Sequence, residues 1–372
     1  MGRPKKSIDP AKFINKAIIA EGGERFVSEH KFQDFKIDQR LITAVTNKGY
    51  KMPTPIQDKI ILHIRNGFDV VGIADTGTGK TAAFLLPLIN KILQNPREQI
   101  LIVVPTRELA LQIDQEFKFF TRGIRMFSVC CVGGMSIGRQ ISEIKLGYNV
   151  IIGTPGRLRD LIERRMINLS WFKTVVLDEA DRMFDMGFIN MTRFIMNGMP
   201  RERQTLFFSA TISSEVERMI REFTKNPVRV SVKTRDTSKN VEQDIIKIEQ
   251  GETKLEVLNS LLNQKEFNKV LVFGRTKHGV EKISRTLFRM GFKVESIHGN
   301  KNNSQRQRAL GMFKDNRIQI LVATDVAARG LDIVDISHVI NYDVPATYDD
   351  YIHRIGRTGR YNKRGTALTF IE

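Results

Sequence analysis

The chain has 372 residues, 41% of them hydrophobic, which is enough for two domains of ordinary size, each with its own core. Lysine and arginine outnumber aspartate and glutamate by 59 to 41, a balance that favours a polyanionic partner such as nucleic acid, although a solubilising basic surface gives the same count. No apolar run approaches the roughly 18 to 20 residues that span a bilayer, so we expect a soluble, cytoplasmic protein without a membrane partner. The only two cysteines are adjacent in an apolar run, which excludes a disulfide framework and a cysteine-rich metal site.

The N-terminal residues 1–30 are basic and weakly patterned, and we predict a mobile arm that contains one short helix, residues 13–20. From residue 31 onward, short β-branched runs alternate with longer segments of helical period. The runs up to residue 232 read DVVGIA, QILIVVP, FSVCCVGG, NVIIGTP, TVVLDEAD, TLFFSAT and VRVSV. Such alternation is typical of a parallel sheet covered by helices on both faces, so residues 31–232 are predicted to form one open α/β domain.

A polar stretch, KTRDTSKN at residues 233–240, interrupts this series and is predicted to be an interdomain linker. A second series of runs follows: IIKIE, KVLVFGRT, VESIHG, ILVATD, HVINYDV and TALTFI. We therefore predict a second open α/β domain over residues 241–372. In both series the runs end in small, polar or charged residues, and ligands of open α/β sheets gather at the carboxyl ends of the strands. The expected site is a cleft between the two domains.

The stretch ADTGTGKT, residues 74–81, lies between a predicted strand and a predicted helix and has the spacing of a P-loop. Gly77 and Gly79 let backbone N–H groups turn toward phosphates, and Lys80 can reach the β and γ oxygens. Thr81 would ligate magnesium. An ordinary glycine-rich turn would explain the glycines, but not the GKT ending in front of a helix.

Three carboxylates in VVLDEAD and three arginines in YIHRIGRTGR complete the candidate chemistry. Asp178 directly follows a predicted strand, where it can hold the metal through water, and Glu179 can orient or deprotonate the attacking water. A solvated acidic helix N-terminus is the alternative for these acids. Arg354, Arg357 and Arg360 could stabilise charge at a γ-phosphate, or they could form a basic surface.

With these motifs in order along the chain, the sequence closely resembles the bacterial type of DEAD-box ATP-dependent RNA helicases over about residues 31–372. The resemblance is carried by GYKMPTPIQ, ADTGTGKT, PTRELA, GG, TPGR, DEAD, SAT, VATDVAARGLDI and HRIGRTGR. It implies two tandem RecA-like domains, ATP and Mg²⁺ as cofactors, and RNA, single-stranded or duplex, as the partner. It also leads us to expect a monomer.

The resemblance also implies a role for each matching residue. In the ATP site, Gln57 reads the adenine edge, Tyr50 stacks on the base, Phe32 supports from upstream, and Asp332 contacts the ribose. The P-loop positions of that site are Asp75, Thr76, Gly77, Thr78, Gly79, Lys80 and Thr81. The implied catalytic residues are Lys80, Asp178, Glu179, Arg357 and Arg360, with Thr81 and Asp178 at the metal. The residues expected to couple the phosphate site to strand separation are Asp181, Ser209, Thr211 and His353.

The implied RNA path lies along the opposite rim of both domains. Its positions are Arg107, Gly133, Gly134, Thr154, Gly156, Arg157, Thr276, Gly299, Arg306 and Thr324. Arginines, hydroxyls and glycine N–H groups suit phosphate and sugar, and none of them must read a base, so binding is expected to be independent of sequence. Departures from the family pattern are Asp75 and Asn303, each where glutamine is usual, and Tyr50, where phenylalanine is usual.

These implications predict an RNA-stimulated ATPase that unwinds RNA duplexes locally as a two-domain cleft closes. Two alternatives stay open at this point. One is a DNA-directed helicase with the same motor, which the Q motif together with DEAD disfavours. The other is a non-catalytic RNA clamp that uses ATP only to lock on, which an intact set of Lys80, Glu179 and Arg360 disfavours.

Overall fold

The computed structural model describes residues 13–15, 26–75, 77–232, 241–328, 333, 335–359 and 364–372, without the side chains of Asn303, Val326 and Asp349. Several predictions therefore lie outside the described residues: the linker 233–240, most of the basic arm, and the site residues Thr76, Asp332 and Arg360. Within the described ranges, contacts divide the chain into a first unit of residues 24–234 and a second unit that begins at residue 235 and also includes residues 13–15.

The first unit contains seven parallel strands in the order β3-β4-β2-β5-β6-β1-β7. The strands are β1 Val70–Ala74, β2 Ile100–Val103, β3 Ser128–Cys131, β4 Val150–Gly153, β5 Thr174–Leu177, β6 Gln204–Ser209 and β7 Val228–Val232. The helices are α1 Gln39–Asn47, α2 Pro55–Arg65, α3 Lys80–Gln94, α4 Arg107–Phe120, α5 Ile137–Lys145, α6 Pro155–Glu163, α7 Ala180–Asp185, α8 Ile189–Gly198 and α9 Ser214–Phe223. Two 3-10 turns, Phe32–Phe35 and Leu169–Trp171, complete the unit.

Both faces of this sheet are covered, because successive side chains of a strand point to opposite faces. In β5, Val176 packs into a core with α2, α3 and α4, whereas Val175 and Leu177 pack into a second core with α6, α8 and α9. Of the two cysteines, Cys131 is fully buried in the second core, and burial raises the pKa of its thiol to about 12. It is a core residue, as predicted.

The second unit contains six parallel strands in the order β10-β11-β9-β12-β13-β8. The strands are β8 Val241–Lys247, β9 Val270–Phe273, β10 Val294–Ile297, β11 Ile320–Ala323, β12 His338–Asn341 and β13 Gly365–Ile371. The helices are α10 Lys254–Leu262, α11 Lys277–Arg289, α12 Asn303–Lys314, α13 Asp325–Ala328 and α14 Tyr348–Ile355. Helices α10 and α11 cover one face, and α12 and α14 cover the other. The predicted fold class, two tandem α/β units with parallel sheets, is confirmed.

The prediction of a mobile arm is wrong at residues 13–15, which pack on the second unit, with Phe13 in a 3-10 conformation. Phe13 is only 1% exposed and lies in the core of the second unit, and Asn15 forms an antiparallel bridge with Gln243 of β8. A buried aromatic ring and two backbone hydrogen bonds outweigh the cost of ordering so short a segment. The remainder of the predicted helix, residues 16–20, lies outside the described residues.

Candidate functional site

The order of strands in the first sheet separates the predicted site residues by role. The three neighbouring strands β3, β4 and β2 are followed by the segments predicted to bind RNA. The next strands, β5 and β6, are followed by the acidic cluster and by the SAT sequence, and β1 is followed by the P-loop. Since carboxyl ends of parallel strands share one edge of a sheet, this edge carries the RNA positions at one side, the phosphate positions at the other and the acids between them.

The P-loop turns into α3 through Gly79, which has a φ of 90° and is the residue preceding the helix. A Cβ atom at Gly79 would lie 2.5 Å from Nε2 of Gln57 and 3.1 Å from Oγ1 of Thr54, so both its backbone conformation and its surroundings require glycine. Lys80 is buried and its Nζ donates to the backbone oxygen of Ala74, at 2.7 Å. The ammonium group therefore joins the last residue of β1 to the first residue of α3, the two ends of the P-loop, where phosphate oxygens are expected.

Gln57 links the Q motif to this loop. Its Oε1 accepts a hydrogen bond from the backbone N–H of Thr54, at 3.0 Å, and its Nε2 donates to the backbone oxygen of Gly79, at 3.1 Å. A carboxamide has two donor protons and two acceptor lone pairs, so one of each remains. A remaining donor and acceptor match the N7 acceptor and N6 amino group of adenine. Phe32 is buried in the core against which Tyr50 packs.

Asp178 and Glu179 are both buried at the end of β5. The backbone N–H of Glu179 donates to Oδ1 of Asp178, at 2.9 Å, and Glu179 itself has φ 53° and ψ 50°, a left-handed conformation that is strained for a residue with a side chain. Its carboxylate is held by Arg182, whose Nη1 donates to Oε2 at 2.6 Å. The side chains of Arg182 and Glu179 are 4% and 5% exposed, so water screens this ion pair little.

Burial dominates the electrostatics of Asp178. Desolvation raises the pKa of its carboxyl from 3.8 to about 6, the positive charge of Lys80 opposes the rise, and the negative charge of Glu179 adds to it. The carboxylate is therefore short of compensating positive charge in the absence of a ligand. A hard cation with oxygen ligands, such as Mg²⁺, would supply that charge.

Asp181 connects the acidic cluster to the SAT sequence. Its Oδ2 accepts from the backbone N–H of Ala210, at 3.2 Å, from the backbone N–H of Thr211, at 2.9 Å, and from Oγ1 of Thr211, at 2.9 Å. The hydroxyl of Ser209 accepts from the backbone N–H of Asp181, at 3.3 Å, and donates to the backbone oxygen of Thr211, at 2.7 Å. Any displacement of Asp181 must therefore move the segment after β6.

In the predicted RNA path of the first unit, arginine side chains lie against exposed backbone. Gly133 and Gly134 leave room for the guanidinium group of Arg107, which a Cβ at Gly134 would overlap. The Nη1 atom of Arg157 donates to the backbone oxygen of Met135, at 3.2 Å, and to Oε1 of Gln140, at 2.9 Å. Thr154 and Gly156 adjoin Arg157 at the start of α6, so the predicted residues of this unit come together.

The second sheet shows the same separation. Thr276, Gly299 and Thr324 follow β9, β10 and β11, three neighbouring strands, and Arg306 lies on α12. His353 lies on α14, which follows β12 on the other side of the sheet, and Nε of Arg357 donates to the backbone oxygen of His353, at 3.3 Å.

Arg354 does not fit the catalytic role considered for it. It is 2% exposed and forms a two-point ion pair with Asp325, at 2.6 and 2.7 Å, while its Nη1 donates to Oδ1 of Asn341 and to the backbone oxygen of Asp343. With its donors used inside the second unit, Arg354 fixes α14 to the sheet. Among the described arginines of this motif, Arg357 stays the predicted phosphate contact; it is 4% exposed and donates to the backbone of His353.

Comparison with known proteins identifies the family. Residues 54–219 match the family model for DEAD/DEAH box helicases, and residues 253–362 match the helicase conserved C-terminal domain. The chain is 44% identical over 346 residues, 92% of its length, to the ATP-dependent RNA helicase CshA of Listeria monocytogenes, and 44% identical over 342 residues, 91% of its length, to CshA of Bacillus subtilis. This chain belongs to the DEAD-box family of ATP-dependent RNA helicases. It spans about two thirds of the two relatives, 66% and 69% of their lengths.

Solved structures of DEAD-box helicases resemble the chain over most of its length. The DEAD-box helicase Mss116 bound to ssRNA and UDP-BeF has a TM-score of 0.82 at 28% identity, covering 94% of this chain and 76% of that one. Saccharomyces cerevisiae Dbp5 bound to RNA and ADP BeF3 has a TM-score of 0.79 at 28% identity, covering 92% and 89%. Both sheets and their helices are therefore those of tandem RecA-like domains.

Three residues of this DEAD-box chain carry site contacts that the motif analysis did not assign. Thr54 begins α2 with reciprocal hydrogen bonds to Gln57, and the pattern Thr-x-x-Gln before an apolar helix could have indicated it. Gln140 and Arg182 have no comparable signal, because a single glutamine or arginine on a helix is usually solvated. Among the described residues, no helix is long and apolar enough to cross a membrane, and no group of three or more His, Cys, Asp or Glu side chains is placed to hold a metal ion.

Proposed function

We propose that this protein is an RNA-stimulated ATPase that separates short RNA duplexes locally and without regard to sequence. The observation that carries the proposal is the position of Asp181, which bonds the SAT segment at the centre of the strand edge. One side of that edge presents the P-loop and the other presents arginines and open backbone. Asp181 thus joins the ends of β5 and β6, between the phosphate positions and the RNA positions, where it would pass a change at the phosphates toward the RNA side.

The residues present fit a magnesium nucleotide. Thr81, at the start of α3, and Asp178, after β5, supply the hard oxygen ligands that Mg²⁺ prefers, and Asp178 lacks compensating charge without it. When bound, the metal would neutralise charge on the β- and γ-phosphates. Lys80 would exchange its hydrogen bond with Ala74 for phosphate oxygens, and Gln57 would use its remaining donor and acceptor on adenine.

Hydrolysis itself is assigned to Glu179, which would orient the attacking water and accept its proton. The ion pair with Arg182 would fix the rotamer of the Glu179 side chain. The strained backbone conformation of Glu179 would hold its carboxylate at the end of β5. Arg357 and Arg360 are proposed to stabilise the charge that develops on the transferred phosphoryl group, and Asp332 to contact the ribose.

Strand separation is proposed to follow from linked binding. ATP and single-stranded RNA would both favour one closed state of the two domains, so each would tighten the binding of the other. Loss of the γ-phosphate would remove the interaction of Arg357 and Arg360 and release the RNA. The RNA positions offer arginines, hydroxyls and N–H groups, which bind phosphate and 2′-hydroxyl groups rather than base edges.

The deciding experiment compares ATP turnover in the presence of matched RNA and DNA strands of one sequence, with Glu179→Gln as the control for background hydrolysis. We expect RNA to stimulate turnover strongly and DNA to do so weakly. Equal stimulation by DNA would replace the RNA assignment with a DNA-directed motor. The protein could also bind RNA and yet hydrolyse ATP in saturating RNA no faster than Glu179→Gln does. That result would favour a non-catalytic clamp that uses ATP only to lock on.

A further inference from the structure

The N-terminal segment around Phe13 packs on the second unit, although more than two hundred residues of sequence separate it from its partners. The ring of Phe13 lies 4.7 Å, centroid to centroid, from that of Tyr351 on α14, at an interplanar angle of 59°. Phe13 is 1% exposed and Tyr351 is fully buried, whereas the neighbouring Ile14 is 53% exposed. Phe13 is therefore the residue of this segment whose side chain enters the core of the second unit.

The backbone of the segment pairs with the same sheet. The N–H of Asn15 donates to the oxygen of Gln243, at 2.9 Å, and the N–H of Gln243 donates to the oxygen of Asn15, at 2.8 Å. Gln243 belongs to β8, which is the last strand of the second sheet and pairs with β13 on its other side. Asn15 therefore satisfies backbone groups that the edge of this sheet would otherwise present to water.

The side chain of Gln243 connects the edge strand to α14. Its Oε1 accepts a hydrogen bond from the hydroxyl of Tyr351, at 2.9 Å, and burial raises the pKa of that hydroxyl. Tyr351 is thus enclosed between Phe13 and β8, and one turn later Arg354 is fixed by Asp325. These two attachments set the position of α14, which carries His353 and ends just before Arg357.

We propose that the Phe13 segment docks on the β8 edge of the second sheet and that Phe13 is a positioning residue for α14, and through it for His353 and Arg357. Phe13 touches no reacting group, so its effect must pass through Tyr351. The part of the inference that concerns catalysis rests on the function proposed above for Arg357. The part that concerns docking stands on the packing alone, so the two need separate measurements.

The test uses the full chain with Phe13→Ala, the conservative Phe13→Leu, and Ile14→Ala as a matched control on the exposed face of the same segment. The first readout is hydrogen exchange at the Gln243 amide, whose acceptor is Asn15. We expect exchange at least about ten-fold faster in Phe13→Ala, close to wild type in Ile14→Ala, and intermediate in Phe13→Leu. Unchanged exchange in Phe13→Ala, or an equal effect of Ile14→Ala, would overturn the docking.

The second readout is ATP turnover in saturating RNA. Phe13→Ala should lower kcat several-fold while the KM values for ATP and RNA stay close to wild type. The adenine and P-loop positions lie in the first unit, and the RNA positions of the second unit follow β9, β10 and β11, whereas α14 follows β12. Phe13→Leu should recover most of the loss. Faster exchange with an unaltered kcat would overturn the positioning role while leaving the docking intact. A wild-type protein without RNA-stimulated turnover would instead refute the proposed function, and the exchange measurement would still decide the docking.

Discussion

Replacing Asp178 with asparagine should make the ligand-free protein more stable while it abolishes turnover. Asparagine is nearly isosteric with aspartate, and its Oδ1 can still accept from the backbone N–H of Glu179, as Oδ1 of Asp178 does. What the substitution removes is a buried negative charge that Lys80 compensates only in part. The carboxylate is retained for its chemistry at a cost in folding free energy, and the neutral amide does not carry that cost.

The size of the effect follows from the pKa. The folded-state pKa of Asp178, about 6, lies above the ordinary value of 3.8, so the folded protein holds the proton more tightly than the unfolded chain. Stability conferred by that group is therefore full below pH 3.8 and is lost as pH rises through the window up to about 6. Above pH 6, the free energy of unfolding is therefore about 3 kcal/mol lower at 25 °C than it would be if the pKa of Asp178 were the same in the folded and unfolded states.

The assay is thermal and urea unfolding of both proteins in EDTA-containing buffer at several pH values between 4 and 8. At pH 7.5, the free energy of unfolding of Asp178→Asn should exceed that of wild type by up to about 3 kcal/mol. Each kcal/mol corresponds to a rise of a few degrees in Tm. The advantage should shrink toward zero as pH falls to 4. In a parallel series without EDTA, Mg²⁺ with ATP should stabilise wild type more than the variant. Equal or lower stability of Asp178→Asn at pH 7.5 would show that the buried charge is compensated in the folded protein and would refute the reasoning.

Three further variants probe separate parts of the proposed machinery. Glu179→Gln should bind ATP and RNA normally and lose about two orders of magnitude or more in single-turnover hydrolysis, and normal hydrolysis would exclude Glu179 as the base. Gln140→Leu removes one of the two acceptors of Nη1 of Arg157 and should weaken RNA binding about ten-fold in a fluorescence titration, with Ser142→Ala, exposed on the same helix, as the unaffected control. Arg360→Ala should slow hydrolysis while RNA affinity without nucleotide stays close to wild type; a loss of RNA affinity alone would place Arg360 in a basic surface.

The sequence predicts where the strands lie along the chain, but it does not predict their order within each sheet. Each β-branched run became a strand of the expected sheet, because burial on both faces leaves few other conformations for such runs. The order of the strands depends on how the intervening helices cross, which no local pattern records. The separation of RNA positions from phosphate positions could therefore be inferred only by resemblance, and the structure supplies its geometric reason.

Single residues were harder to predict than motifs. Arg354 and Arg357 are arginines three residues apart in one motif, and the sequence offers both as phosphate contacts. In the structure, Arg354 forms a buried ion pair with Asp325. The ion pair of Arg354 depends on the tertiary position of Asp325, which no sequence pattern records. The burial of Phe13 could not be predicted for a different reason: one aromatic residue among lysines has no periodicity, and its partner Tyr351 is separated from it in sequence by the whole first unit.

The placement of Phe13 also affects the order in which the protein can fold during synthesis. Phe13 and Asn15 are synthesised before the first unit, whereas their partners Gln243 and Tyr351 are synthesised after it. The first unit can fold as soon as it emerges, whereas the second must wait for β13 and then recruit a segment made long before. The last step in folding of the second unit would then join segments that flank the first unit, a contact of very large sequence separation and correspondingly slow formation.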